Sequence, residues 1–251
     1  MASWSKRRRF TYAGILIVLL VAVVGVPSFL LFYKAPTCSD GKRNGEEQGI
    51  DCGGACTKLC PDAFLPPSIL WTRFEEVAPH LYNVIAYIVN PNQKVMAANT
   101  PYRMTLYDSK GIQIAQTSGE VTIPAGRNTL AFQASVSTGI QTPIRAITQF
   151  TGIPDWAYDR KPPVTLSVVD QKYTESSTTS SLLVTLANDS QNDLSDVTVY
   201  AILKDKDGNT VGFSKTIIDA VPPLSSAVAP FTWAHNHADK VVSIEVLSVA
   251  E

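Results

Sequence analysis

The chain has four cysteines, and all fall in one run, CSDGKRNGEEQGIDCGGACTKLC, from Cys38 to Cys60. Thiols crowded in this way bind metal, react or bridge. Cys52, Cys56 and Cys60 recur every four residues, a spacing that would align them on a helix, but Gly53 and Gly54 oppose a helix there. The two-residue gap of a zinc knuckle is also missing. An even number of cysteines in a short polar segment is expected to form disulfides, which replace the core such a segment cannot build. Cys38, Cys52, Cys56 and Cys60 are therefore assigned to two bridges, with three connectivities open.

The same run carries oxygen donors. Asp40, Asn44, Glu47 and Asp51 are candidate calcium ligands, with Gly45 at the turn position of a twelve-residue loop. Lys42 occupies a position where that loop needs an oxygen, so the competing reading is a set of turn formers. His235 and His237 flank Asn236 and would share one face of a strand, a pair able to grip a metal, but no third ligand is evident. His80 sits beside Pro79 in an expected loop. Asn188-Asp189-Ser190 satisfies the glycosylation pattern, and residues 176–181 (SSTTSS) read as a solvated loop. Trp71 and Trp156 at strand positions read as core.

No G-x-S-x-G, H-E-x-x-H, Walker loop or G-x-G-x-x-G before a helix is present. The expectation is a protein without a catalytic site or cofactor, and with its ligand-binding residues unknown. With 21 basic against 22 acidic residues, a net charge of −1, nothing favours nucleic acid as a partner.

What must position these residues begins with residues 10–33, FTYAGILIVLLVAVVGVPSFLLFY, an uncharged stretch after the basic block KRRR at residues 6–9. As a helix it would reach about 36 Å, enough for a bilayer core. Aromatic residues gather at both ends, and Pro27 is tolerated in such a helix. A cleaved signal would need small residues near the end of the stretch, where bulky ones stand. The reading is a single-pass anchor, with residues 1–9 cytoplasmic and the remainder extracytoplasmic. Its partners are then the bilayer and other envelope or surface proteins.

Beyond a cysteine-rich segment at 34–61, two stretches resemble each other. Residues 100–115 (TPYRMTLYDSKGIQIA) and 197–212 (VTVYAILKDKDGNTVG) match without gaps at Leu106/Leu203, Asp108/Asp205, Gly111/Gly208 and Ile114/Val211. Tyr102, Met104 and Leu106 alternate along one stretch, and Val197, Val199, Ala201 and Leu203 along the other, as in half-buried strands. A turn ending in Gly follows each, the mark of a hairpin. Upstream, residues 82–90 (YNVIAYIVN) and 181–188 (SLLVTLAN) both end in Asn.

The fold class is therefore all-β: two immunoglobulin/fibronectin-like antiparallel sandwiches in tandem, behind one transmembrane helix and a disulfide knot. Residues 62–156 form the first module and 164–251 the second, with a proline-rich linker at 157–163 that suggests a semi-rigid rod. Loops at the sandwich ends, such as residues 90–100, would carry any ligand.

Two resemblances add to this. The pattern C-x-D-G-x-x-N-x-x-E followed by D-C-G-G-x-C resembles a cysteine-rich segment of many bacterial secreted and surface proteins. It is matched by Cys38, Asp40, Gly41, Asn44, Glu47, Asp51, Cys52, Gly53, Gly54 and Cys56. Met104, Leu106, Tyr107 and Asp108 resemble the strand end of the F-x-L-Y-D immunoglobulin-like module, as Ala201, Leu203, Lys204 and Asp205 do less closely. These resemblances imply a membrane-anchored surface protein that displays its modules for interaction or spacing. An adhesin or receptor for a glycan or protein is the alternative, and a metal-dependent envelope hydrolase a remote one.

Overall fold

The computed structural model describes residues 4–56, 58–60, 63–152, 154–159, 166–237 and 240–249. Most of the expected linker, residues 160–163, lies outside them. By its contacts the chain divides after Cys56 into two units.

The first unit opens with a helix, α1 (Trp4–Leu20), that passes through a π-helical stretch (Val21–Gly25) into α2 (Val26–Phe32). It starts just ahead of the basic block and runs through it, because Lys and Arg are good helix formers. Pro27 has no N–H to donate. It falls in the first turn of α2, just after the backbone widens, where its ring fits. The 22 residues Arg8–Phe29 are long and apolar enough to cross a membrane.

The second unit is a pair of antiparallel β-sandwiches. In the first, β1 (Ser68–Ala78), β2 (Leu81–Val89) and β5 (Thr129–Ser137) form one sheet in the order β1-β2-β5. Facing it is the sheet β4-β3-β6, built from β3 (Val95–Tyr107), β4 (Gln113–Ile123) and β6 (Arg145–Phe150). A short β7 (Asp155–Tyr158) also pairs with β3. Ala157 and Tyr158, expected in the linker, are thus strand residues. Trp156, just before them, is buried against Phe64, with ring centroids 5.1 Å apart, and closes the end of the core.

The second sandwich uses β8 (Ser167–Glu175), β9 (Ser180–Asn188), β10 (Leu194–Lys204), β11 (Thr210–Val221), β12 (Ser225–Trp233) and β13 (Ser243–Val249). Its sheets run β8-β9-β12 and β11-β10-β13. Each sandwich encloses its own core. Val84, Ala86 and Ile88 face Tyr102, Met104 and Leu106 in the first; Leu182, Val184 and Leu186 face Val199, Ala201 and Leu203 in the second.

The two sandwiches use the same local devices. Asp108 Oδ1 accepts the N–H groups of Lys110 and Ile112, and Asp205 Oδ1 accepts those of Asp207 and Asn209. Gly111 and Gly208 close these hairpin turns at φ of 75° and 78°, which a side chain would resist. Asn90 and Asn188 are both buried corner residues. Asn90 Nδ2 donates to the carbonyls of Val95 and Pro124, and Asn188 Nδ2 to those of Asn192, Val221 and Pro222. Asn188 is only 1% exposed, so as it stands its amide offers no glycosylation acceptor. Residues 90–100, expected as a ligand-bearing loop, are strand from Val95 onward, and Asn90 is the buried corner.

The two sandwiches also pack on each other directly. A third apolar cluster, Ile85, Tyr87, Leu130, Tyr200, Ile202 and Phe213, draws on strands of both sandwiches. It joins the outer face of β1-β2-β5 to the outer face of β11-β10-β13, so the sandwiches pack side against side. Area decides this: an apolar sheet face left in water is less stable than one buried against another.

Candidate functional site at the junction of the two sandwiches

In the first unit the acidic loop is a set of interlocked turns. Asp51 takes the Gly41 N–H on both carboxylate oxygens, at 3.0 and 2.9 Å. Asp40 accepts from Lys42 N and from Asn44 Nδ2, and the Asn44 hydrogen bond chiefly holds the Asp40 carboxyl below its ordinary range. Glu47 Oε2 accepts from the backbone N–H groups of Asn44 and Asp51. Asp40, Glu47 and Asp51 therefore spend lone pairs on loop donors, whereas Asn44 donates through Nδ2 and its Oδ1 is buried without a partner among the described residues. A Cβ at Gly54 would lie 1.7 Å from the Glu46 carbonyl oxygen, so that position has to be glycine. Two disulfides stabilise the region, with all four cysteines bonded, and Cys38–Cys56 spans 5.6 Å between Cα atoms. Cys38, Glu47 and Cys56 lie close enough to suggest a metal group, but the two sulfurs are bonded to each other.

The junction in the second unit has an apolar centre and polar ends. In the centre, Phe132 meets Phe213 edge to face at 6.1 Å, and Trp71 packs on Tyr87 at 5.2 Å. Register places Ile85 beside Phe132 on one side, and Ile202 beside Phe213 on the other. Tyr200 lies among them, and burial pushes its hydroxyl well above the ordinary phenol range. Tyr87 is raised too, mainly by burial. Its Oη donates to Glu245 Oε1 at 3.0 Å, and Glu245 in turn pairs with Lys204. A cleft of about 180 Å³, lined by Tyr102, Glu120, Tyr200 and Lys215 among others, opens beside this centre.

At the other end the H-N-H segment clasps β1. His235 Nε2 meets the Glu76 carbonyl at 2.7 Å. His237 is 6% exposed, with Nδ1 3.0 Å from Ser180 Oγ and Nε2 3.1 Å from Glu75 Oε1. Glu75 Oε2 accepts the Phe213 N–H at 3.2 Å, a second link across the junction. A Cβ at Gly212 would come 2.7 Å from His237 Nε2, so the glycine leaves room for the imidazole.

Ser180, His237 and Glu75 are the residue types of a hydrolytic relay, but they are not placed as one. Ser180 is 2% exposed, and its hydroxyl donates to the His235 carbonyl at 3.0 Å. Neither the cleft beside Tyr200 nor the one beside Arg145 reaches it. A nucleophile needs a free hydroxyl and space for a substrate, so the arrangement works as a clasp. His235 and His237, read from sequence as an exposed turn or a metal pair, hold two different partners on β1.

The sequence reading missed the junction. Its signal lay in β2 and β10: the residues between the inward-facing ones are Ile85 and Tyr87, and Tyr200 and Ile202. They are apolar where a half-buried strand would carry polar side chains.

No family model matches the chain, and no curated protein matches it. Among solved structures it is similar to a glycosyl hydrolase family 2 member from Bacteroides cellulosilyticus, at 11% identity and a TM-score of 0.25, over 68% of this chain and 28% of that one. Red sea bream transglutaminase aligns at 12% identity and a TM-score of 0.23, over 73% and 29%. A β-glucuronidase of glycoside hydrolase family 2 aligns at 10% and 0.22, over 68% and 24%. The chain spans less than a third of the length of each. Likeness at this level carries no argument about activity.

Proposed function

We propose that this chain is a non-enzymatic, single-pass membrane protein that holds a two-sandwich head outside the cytoplasm, for protein interaction or for spacing at the cell envelope. The observation that carries the reading is the order of two features: an apolar helix able to cross a bilayer, followed directly by a segment with every cysteine bonded. Disulfides persist in oxidising compartments, and the basic residues 6–9 favour a cytoplasmic N-terminus. The resemblances of the cysteine pattern and of the two strand ends extend the reading to a bacterial surface protein built from two copies of one module. Protease added to intact cells that make the protein is expected to digest the head, and the native protein is expected to show no free thiol. A protected head, or four titratable thiols, would refute the proposal.

One observation favours a second reading, an adhesin or receptor. Ile112, Ile140 and Ile144 are exposed at one end of the first sandwich, where Tyr107, Asp108 and Arg145 line a cleft of about 430 Å³. Crosslinking in intact cells followed by pull-down distinguishes the readings. A partner lost on Ile144→Asp supports capture by this end, and an unchanged partner set supports a spacer.

A further inference from the structure

We infer that the cleft beside Tyr200, at the seam of the two sandwiches, binds a single sugar ring between Glu120 and Lys215. This goes beyond the display role proposed above and concerns a different place from the cleft beside Arg145. Two tyrosines line the cleft, and they use their hydroxyls differently. Tyr102 Oη donates to the Phe132 carbonyl at 3.2 Å and accepts from Gln133 Nε2 at 2.9 Å, so its hydroxyl is committed to the protein. Tyr200 is also buried, at 8% exposed, yet its hydroxyl has no hydrogen bond among the described residues. Strand β10 is bonded to β11 on one side and to β13 on the other, so what Tyr200 brings to the cleft is its side chain. Burial keeps the phenol protonated, with a hydrogen to give. Buried polar groups are as a rule hydrogen-bonded, and the cleft is where a partner can reach this one.

The rest of the lining is polar and mixed in sign. Glu120 of β4 and Lys215 of β11 come from opposite sandwiches, and neither has an ion-pair partner among the described residues. Lys215 Nζ lies 6.0 Å from the centre of the Phe132 ring, which forms part of the same wall. Thr122, Thr129 and Thr198 line the cleft as well, and none of their hydroxyls has a hydrogen bond among the described residues. Strands β4 and β5 are the end strands of their sheets, so each leaves one edge of main-chain N–H and C=O groups unpaired.

This mixture selects the ligand. An anion would meet Glu120, a cation would meet Lys215, and an apolar molecule would leave the hydroxyls without partners. Each hydroxyl of a sugar both donates and accepts, so one ring can give to Glu120 while it takes from Lys215 and Tyr200. At about 180 Å³ the cleft is smaller than the roughly 300 Å³ at which pockets for drug-sized molecules begin. That limits the ligand to one ring.

The test uses the full chain in micelles of a detergent without a sugar headgroup. Magnetisation is transferred from the protein to D-glucose, D-galactose, D-mannose or N-acetyl-D-glucosamine in turn. Each is offered at tens of millimolar, because a ligand of about a dozen non-hydrogen atoms is expected to bind with a Kd in the millimolar range. At least one sugar is expected to receive magnetisation and to shift the Thr129 and Lys215 amide resonances. Tyr200→Phe, which removes only the hydroxyl, is expected to weaken that sugar about tenfold. Lys215→Ala, at an exposed position, is expected to weaken it too, and decides the matter if Tyr200→Phe fails to fold. Leu183→Asp, on the outer face of β9, should leave binding unchanged. No transfer to any of these sugars, affinity unaltered by both cleft variants, or an equal loss in Leu183→Asp would overturn the inference. Glycine displacing the sugar would overturn it as well, by assigning the cleft to a zwitterion.

Discussion

Strands β2 and β9 hold the same place in their sandwiches, yet their outward faces differ. In β2 every residue from Val84 to Ile88 is buried, because Ile85 and Tyr87 face the second sandwich. In β9 burial alternates, and Leu183 stands exposed beside Lys172 of β8. Strands β3 and β10 differ in the opposite sense. Val199 to Leu203 are all buried in β10, whereas Arg103 of β3 points to solvent. Each sandwich thus has one sticky outer face, and it lies on a different sheet in each. Such a contact is heterologous and would allow a third sandwich to add, unless the free faces were unsuitable. They carry Arg103, Gln116, Ser118 and Gln149 on one side, and Lys172, Asp170, Thr185 and Thr232 on the other. Common turn chemistry fixes the module, while the outward side chains of two strands fix how many stack.

That difference can be broken directly. Ile202→Asp would place an unpaired charge in the sealed junction and is expected to destabilise the head by about 3–5 kcal/mol. The same change at Leu183, 47% exposed, should shift stability by less than about 0.5 kcal/mol. Denaturant unfolding followed by tryptophan fluorescence reads both, and equal effects would erase the distinction between the faces. Phe213→Ala, which removes the edge-to-face partner of Phe132, is expected to lower stability by about 3 kcal/mol in the same assay. It should also raise amide exchange in β5, whereas a change confined to the second sandwich would deny the contact.

The shared devices sharpen the comparison from the other side. Asn90→Ala and Asn188→Ala each leave buried carbonyls without a donor and should cost about 1–3 kcal/mol. Similar thermal shifts would show that the two corners are equivalent. The smallest effect concerns Asp205, whose carboxyl is held below its ordinary range, first by the Asn209 N–H. A lowered folded value means that its contribution is present above about pH 4 and fades as acid protonates it. Exchange at the Asn209 amide should therefore quicken, relative to its intrinsic rate, as pH falls below 4.

Much of this fold was legible in the sequence. Asp108 and Gly111, echoed by Asp205 and Gly208, gave both hairpins, and the cysteine run gave its disulfides. The docking is harder to read, because Val197, Val199, Ala201 and Leu203 fit a period of two, the pattern of a strand with a polar outer face. Tyr200 and Ile202 between them do not fit that face, and such apolar continuity is the mark of a strand covered on both faces. The clasp was out of reach for a different reason: Glu75, Ser180 and His237 are distant in sequence, and only the packing of β1 against the H-N-H loop brings them together.

The central claim is that the two sandwiches dock through β2 and β5 against β10 and β11. Aromatic-selective labelling of the full chain in micelles, with cross-relaxation measured between the Phe132 and Phe213 rings, tests it most directly. Centroids 6.1 Å apart predict a clear cross-peak that disappears in Ile202→Asp. Sharp, assigned resonances from both rings with no cross-peak in the native chain would contradict the account.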